Sequence, residues 1–186
     1  MKYLVFLFLL CVPCAAQAEP IDYNNLVYTA LTQCHRANPD KVDESILWIL
    51  VDVERKYEVP ENLRGMLLSA ACSESGYNPK ARGDRKFSKN GKPKAVGLFQ
   101  MWSWWEREYK IDRTDPYGSA NAFMLHVKRQ LDRGRCKFKS AERRWIAAWV
   151  TAIRAPKKGG RCYEKPNHLR ILRRWHKIIR RAIAKG

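Results

Sequence analysis

Apolar residues at spacings of three and four positions recur along this chain, and this period is typical of helices rather than strands. The clearest case runs from Pro60 to Ser75. Pro60 suits the first turn of a helix, and Gly76 suits the left-handed residue that ends one. The apolar face of this helix is Leu63, Met66, Leu67, Ala70 and Ala71.

Three further helices are predicted from capping residues and apolar faces. Asp43 caps the first, which ends before Pro60. Asp115-Pro116 begins the second, which stops at Gly134, and Ser140 caps the third. No alternating stretch flanked by turn signals makes a convincing strand pair, so we predict a mainly α fold. The apolar faces are Ile46, Leu47, Leu50 and Val53, then Ala120, Met124, Val127 and Leu131, then Trp145, Trp149 and Ile153.

The N-terminus has the pattern of a secretory signal peptide. Lys2 is followed by an apolar run, and Ala16-Gln17-Ala18 offers a small-x-small cleavage site. Pro13 interrupts the run well before the ~20 apolar residues that a membrane span needs. We expect residues 1–18 to be removed, residues 19–186 to form one monomeric domain, and the protein to be periplasmic or extracellular.

Four cysteines remain after residue 18, namely Cys34, Cys72, Cys136 and Cys162. An even number of cysteines in an exported chain predicts two disulfides, and three pairings are open. A zinc site is disfavoured because none of the four has a partner at ligand spacing; His35 is merely adjacent to Cys34. We predict neither a metal nor another cofactor.

The chain is strongly basic, with 36 lysines and arginines against 18 acids and a net charge of +18. Such a charge predicts a polyanionic partner, and export favours an acidic cell wall or anionic membrane over nucleic acid. A long loop between Arg82 and Lys94 is rich in cations and turn residues, and is either functional or a disordered insertion. Residues from about 167 to 185 form a cationic amphipathic helix that either docks on the domain or contacts an anionic surface.

Glu74 lies three positions after Ala71, in the middle of the apolar stripe of its helix. Burial would raise the pKa of this carboxyl, and so would its position in the last helical turn. A carboxylic acid that is still protonated near neutral pH can donate a proton to a leaving glycosidic oxygen. The alternatives are that Glu74 pairs with an arginine or reaches solvent past the end of the helix.

The segment Ala71–Ala81, followed by Ala95–Gln100, resembles the Glu-Ser…Asn-Pro-x-Ala…Gly-Leu-Met-Gln pattern of lytic transglycosylases related to goose-type lysozymes. Similarity spans about Ile46 to Trp175. It implies a lysozyme-like helical domain with the basic loop beside the active-site cleft. It also implies cleavage of the β-1,4 bond between N-acetylmuramic acid and N-acetylglucosamine in bacterial peptidoglycan.

By position in that pattern, Glu74 matches the family's general acid/base. Ser75 and Gln100 match positions that support the glycan or the acid, and Gly97 would let the chain run close to the sugar. Where the family often has Tyr-Asn-Ala-Gly, this chain has Trp149-Val150-Thr151-Ala152, so an indole replaces a hydroxyl near the acid.

The sequence leaves open which of two groups attacks C1 of the cleaved sugar. In transglycosylases, as the resemblance implies, the C6 hydroxyl of muramic acid attacks C1 and leaves a 1,6-anhydro end. Gly83-Asp84-Arg85 is similar to an element that follows the catalytic glutamate in goose-type lysozymes, so Asp84 is a candidate base that would activate water. The alternative is that Asp84 pairs with a neighbouring arginine.

Aromatic residues are candidates for sugar contact, because sugars pack on flat apolar faces. Trp102 follows Gln100 closely, and Tyr77 and Trp149 lie in the matched segments. Each of these rings could instead fill the helical core. A non-catalytic cationic antimicrobial or cell-wall-binding protein is the alternative of another functional class.

Overall fold

The computed structural model describes residues 22–88, 90–132 and 141–153, with residues 170, 173–174, 176–179 and 181 near the C-terminus. The predicted signal peptide, Ser140, Cys136 and Cys162 lie outside the described residues, as does much of the predicted C-terminal helix. Among the described residues, no helix combines the length and the apolar character that crossing a membrane requires.

The described chain is mainly helical, as predicted. Six α-helices have described bounds, and short 3-10 turns lie between some of them at Pro39–Lys41, Glu61–Leu63 and Arg85–Phe87. The described residues near the C-terminus, among them 176–179, are also helical. The helices are α1 (Tyr23–Gln33), α2 (Glu44–Lys56), α3 (Met66–Ser75), α4 (Trp104–Tyr109), α5 (Pro116–Asp132) and α6 (Ala141–Ile153).

Two of the predicted helix starts are confirmed by their caps. The Asp43 carboxylate accepts the backbone N–H of Ser45 at 3.0 Å at the start of α2. The Asp115 carboxylate accepts the N–H of Gly118 at 2.8 Å at the start of α5. In both cases a short acidic side chain satisfies backbone donors that have no partner within the helix.

A small antiparallel pair joins β1 (Arg82–Gly83) to β2 (Ala95–Val96). The sequence predicts no strand pair, and this prediction is wrong at this point of the chain. Two-residue strands are too short to show an alternating pattern. This pairing holds the two ends of the basic loop together, because β1 lies at the start of the loop and β2 directly follows its end.

Helix α3 is the buried centre of the described domain. All its residues from Met66 to Cys72 are buried, and both α1 and α2 pack against it. A helix that is apolar on most sides is stable only when other elements surround it. Helix α5 packs against α2 and α6, and these contacts complete the core.

The predicted helix from Pro60 to Ser75 is wrong in its first turn. Pro60 precedes a 3-10 turn, and α3 itself begins after Gly65, whose φ is +83°. The cause is a long-range contact: the Glu54 carboxylate of α2 accepts the N–H of Gly65 at 2.8 Å and also that of Leu67. These bonds cap α3 in place of a preceding helical turn.

A disulfide between Cys34 and Cys72 ties the end of α1 to the middle of α3. It confirms one disulfide and selects its pairing from the open alternatives. The two cysteines are 38 positions apart. Closing a loop of that length stabilises the fold by roughly 4 kcal/mol in the chain-entropy account.

Candidate active site

Glu74 lies in the last turn of α3, just before the helix ends at Gly76 with a left-handed φ of +61°. Its side chain is part-buried, whereas the α3 residues that precede it up to Cys72 are fully buried. Burial raises the pKa of Glu74 to about 7; the positive charge of Arg36 opposes the shift and the negative charge of Asp84 adds to it. The carboxyl therefore holds a proton near neutral pH while one side stays accessible.

Arg36 reaches Glu74 because the disulfide holds its segment against α3. It is two residues from Cys34, its backbone carbonyl packs against Gly76, and its guanidinium donates to the Ser73 carbonyl. The cation thus lies at the C-terminal end of the helix, where carbonyl groups favour positive charge. No sequence motif points to Arg36, and only the disulfide pairing could have indicated it.

Asp84 shares the site with Glu74, since its charge contributes to the raised pKa of that acid. The Trp102 indole Nε1 donates to Asp84 Oδ2 at 2.9 Å. Asp84 is part-buried and adopts a left-handed φ of +58°, at the start of the 3-10 turn that follows β1. The charge of Asp84 therefore acts on Glu74, and the hydrogen-bond partner of Asp84 is an indole rather than a neighbouring arginine.

Gln100 and Ser75 support the frame around the two acids. The Gln100 amide donates to the Gly97 carbonyl at 3.0 Å, and its Oε1 lies against Gly83, the residue before Asp84. Ser75 Oγ donates to the carbonyl of Ala71 at 3.1 Å, within α3. Both side chains are part-buried. In the described structure they hold the protein backbone beside the site.

Three residues predicted to contact sugar have other roles. Tyr77 is 2% exposed and Trp149 is 1% exposed, so both rings belong to the core. The Tyr77 hydroxyl donates to the Ala30 carbonyl at 3.3 Å and links α1 to the end of α3. Gly97 has a φ of +83°, and a Cβ there would collide with the carbonyl of Arg113. Glycine is therefore required at position 97 by the protein's own backbone.

Trp102 keeps an exposed ring beside Asp84. It is 40% exposed, and Phe87 from the basic loop is 52% exposed with its ring centroid 6.4 Å away. Trp105, by contrast, is 4% exposed and fills the core. We call Phe87 and Trp102 the aromatic platform. Phe87 was missed by the sequence analysis, although it is the only aromatic residue in the basic loop.

Unusual backbone conformations gather around the site. Five non-glycine residues among those described have a positive φ, and three of them are Tyr77, Asp84 and Gln100. Such conformations cost about 1–3 kcal/mol each and tend to persist where the surrounding structure fixes a functional geometry. Such conformations therefore occur just after the candidate acid and at the candidate base and the supporting amide themselves.

No group of three or more histidine, cysteine, aspartate or glutamate side chains is placed to hold a metal ion in the described part of the chain. No protein-family model, curated protein or solved structure matches the chain. The chemistry of the site is therefore argued from its own residues.

Proposed function

We propose that this protein cleaves the β-1,4 bond between N-acetylmuramic acid and N-acetylglucosamine in bacterial peptidoglycan, with Glu74 as the general acid/base. The observation that carries the proposal is the part-buried Glu74 carboxyl, whose pKa is raised to about 7, mainly by burial, beside Asp84. An acid with a pKa near the working pH donates and recovers a proton efficiently. The lysozyme-like fold implied by the sequence resemblance is part of the same proposal.

In the reaction that the resemblance favours, Glu74 donates its proton to the bridging oxygen as the C1–O bond breaks. The C6 hydroxyl of the same muramic acid then attacks C1 and gives its proton to the Glu74 carboxylate. The products are a free 4-hydroxyl and a 1,6-anhydro end, and Glu74 is protonated again. Arg36 stabilises the carboxylate during the interval in which it is charged.

Hydrolysis is the second candidate reaction, and the position of Asp84 favours it. Its charge acts on Glu74, and the bond from Trp102 orients its carboxylate. A carboxylate so placed can take a proton from a water molecule that attacks C1. Mass spectrometry of the released fragments separates the two reactions, because an anhydro end is lighter by one water than a reducing end.

The proposed substrate agrees with the net charge of +18, since peptidoglycan carries carboxylates. A cationic protein that only binds the wall would share this charge, so binding alone does not test the proposal. The test is the release of soluble fragments from purified peptidoglycan by the wild type and by Glu74→Gln. If Glu74→Gln still binds peptidoglycan but no longer releases fragments, the result supports an enzyme that uses this acid. If both proteins release fragments equally, Glu74 is not the catalytic acid.

A matched control is available in Glu61→Gln, which makes the same chemical change at an exposed position in a 3-10 turn. It should release fragments at the wild-type rate. If neither the wild type nor this control releases fragments while both bind the wall, the non-catalytic alternative replaces the proposal.

A further inference from the structure

The loop beside the site has an unusually one-sided charge. Residues 82–94 contain six lysines and arginines and a single acid, Asp84. That acid accepts a hydrogen bond from Trp102, and its charge acts on Glu74. The loop cations therefore lack acidic partners of their own within this stretch, and an anionic ligand would supply them.

Two of these cations lie against the aromatic platform. Lys86 Nζ is 5.0 Å from the ring centroid of Phe87, and Lys94 Nζ is 5.3 Å from that of Trp102. The backbone at Lys94 is anchored, because its carbonyl accepts a hydrogen bond from the Arg113 guanidinium at 3.0 Å. Each exposed ring thus has an ammonium group over one of its faces.

The platform and the acid belong to one site. Asp84 joins them, since it accepts the indole N–H of Trp102 and also acts on Glu74. A flat ring packs on a sugar face, and an ammonium beside that ring pairs with a negative charge on the same sugar. A neutral sugar would use the rings but give the two lysines no anionic partner.

We propose that the aromatic platform, with Lys86 and Lys94, binds sugar units that carry a carboxylate and selects them over neutral sugars of the same linkage. The ring of the sugar packs on Trp102 or Phe87, and the carboxylate pairs with the adjacent lysine. This inference rests on the proposed function, because it names the chemistry that the same site would recognise. The carboxylate can come from the lactyl ether of muramic acid or from an attached peptide.

The test measures binding without turnover, using the full-length Glu74→Gln variant and soluble glycans. Four probes are compared: peptidoglycan fragments with peptides, peptide-free strands that keep only lactyl carboxylates, fragments with all carboxylates amidated, and neutral β-1,4-linked N-acetylglucosamine oligomers. We expect the first probe to bind roughly tenfold tighter than the amidated and neutral probes, as for a charge-assisted hydrogen bond. Added salt should reduce that difference.

Variants of the platform identify the residues responsible. Combining Lys86→Ala with Lys94→Ala should abolish the preference for carboxylates and leave binding of the neutral oligomer unchanged. Phe87→Ala should weaken binding of acidic and neutral probes alike. Lys41→Ala, at an exposed lysine in the 3-10 turn Pro39–Lys41, removes one charge outside the loop and should change neither. All three side chains substituted in the loop are exposed or part-buried, and thermal unfolding checks that the variants fold.

Each outcome decides the inference. Tight binding of the peptide-free strand assigns the lactyl group, and tight binding only when peptides are present assigns the peptide; either supports the platform. Equal affinity for acidic and neutral probes, or an unchanged preference in the double lysine variant, overturns it. If the wild type releases fragments but the site does not prefer carboxylates, only the role of the aromatic platform is refuted. If the site prefers carboxylates but the wild type releases no fragments, only the proposed reaction is refuted.

Discussion

Two carboxyl groups lie at opposite ends of α3, and they differ in what surrounds them. Glu54, from α2, lies at the N-terminal end of α3, and Glu74 lies in its last turn. The pKa of each is raised to about 7, in both cases mainly by burial. Glu54 is 1% exposed, and both its oxygens accept backbone N–H groups, whereas Glu74 is only part-buried.

The comparison shows that a raised pKa does not by itself mark a catalytic acid. Glu54 has its hydrogen-bonding capacity satisfied by the backbone of α3, so it stabilises the break at Gly65. Glu74 has charged neighbours from two other segments, Arg36 and Asp84, and lies beside an exposed aromatic ring. Solvent access and neighbouring functional groups therefore distinguish Glu74, the candidate catalytic acid, from Glu54, the structural one.

The largest expected effect comes from Glu74→Gln. We expect the rate of fragment release from peptidoglycan to fall by roughly 10³-fold, within the range that a general acid contributes. The variant should be at least as stable as the wild type at pH 8, because it removes a carboxylate whose ionisation is opposed by burial. Fragment release and thermal unfolding, measured on the same preparation, test both parts. A variant that loses activity only because it unfolds would contradict the contrast with Glu54.

The matching change at the N-terminal end of α3 is Glu54→Gln, which should lower stability and leave the catalysed reaction unaffected. The amide NH₂ cannot accept the N–H of Gly65 or Leu67, so one buried donor loses its partner. We expect the free energy of unfolding to fall by about 1–3 kcal/mol. Activity per folded molecule should remain near that of the wild type. Urea unfolding measures the loss of stability.

Asp52→Asn is the control for that change, because Asp52 is exposed on the same helix and pairs only loosely with Arg55, at 3.7 Å. It should alter the free energy of unfolding by less than about 1 kcal/mol. If Glu54→Gln were as harmless as this control, the assigned role of Glu54 as the cap of α3 would be wrong.

The sequence predicts those parts of the structure that depend on nearby residues. Asp43 and Asp115 cap helices through donors within three positions, and Gly76 ends α3 where predicted. Glu74 was found in the same way, by its spacing from Ala71 within one helix. Such signals are local, so a single sequence carries them.

Features that depend on contacts between distant segments were not predicted. The break at Gly65 depends on Glu54, eleven positions earlier and on another helix. Arg36 reaches the site through a disulfide whose pairing was open. Tyr77 lies in a matched motif, but a motif fixes the position of a residue in the chain and not the direction of its side chain. This is why the helix prediction was mostly right and the list of sugar-binding residues was partly wrong.

A third prediction uses pH to compare the two carboxyls. The folded-state pKa of each is about 7, above the ordinary value of 4.5, so the folded protein binds these protons more tightly than the unfolded chain does. Their stabilising contribution is present below pH 4.5 and is lost as pH rises towards 7. The slope is at most about 1.4 kcal/mol per pH unit for each group.

Urea unfolding at pH values between 4.5 and 8 separates the two contributions. Each of the variants Glu54→Gln and Glu74→Gln should reduce the fall in stability across this range, and combining them should reduce it further. Only Glu74 should also govern activity, since the wild-type rate should decline above about pH 7 as its carboxyl loses the proton. A decline that follows Glu54 instead would reverse the two assignments.

The smallest effects are expected from the charges around Glu74. Asp84→Asn keeps an oxygen that can accept the Trp102 indole N–H but removes the charge that raises the pKa of Glu74. The decline in activity should therefore begin at a lower pH. Arg36→Gln removes the charge that opposes the shift, so the decline should begin at a higher pH. If the C6 hydroxyl is the acceptor, so that Asp84 is not a base, each rate should change by less than about tenfold at pH 7.

The pH–rate profiles of the two variants also distinguish the two proposed reactions. If the muramic acid C6 hydroxyl is the acceptor, Asp84→Asn should only displace the profile, and its maximum rate should be kept. If water is the acceptor, the same variant loses the base and the maximum rate itself should fall by roughly 10²-fold or more, with reducing ends as the wild-type product. A displacement in the same direction for both variants would contradict one of the two assignments. No displacement in either variant would show that neither charge acts on Glu74, and the contrast with the backbone-bonded Glu54 would then rest on access alone.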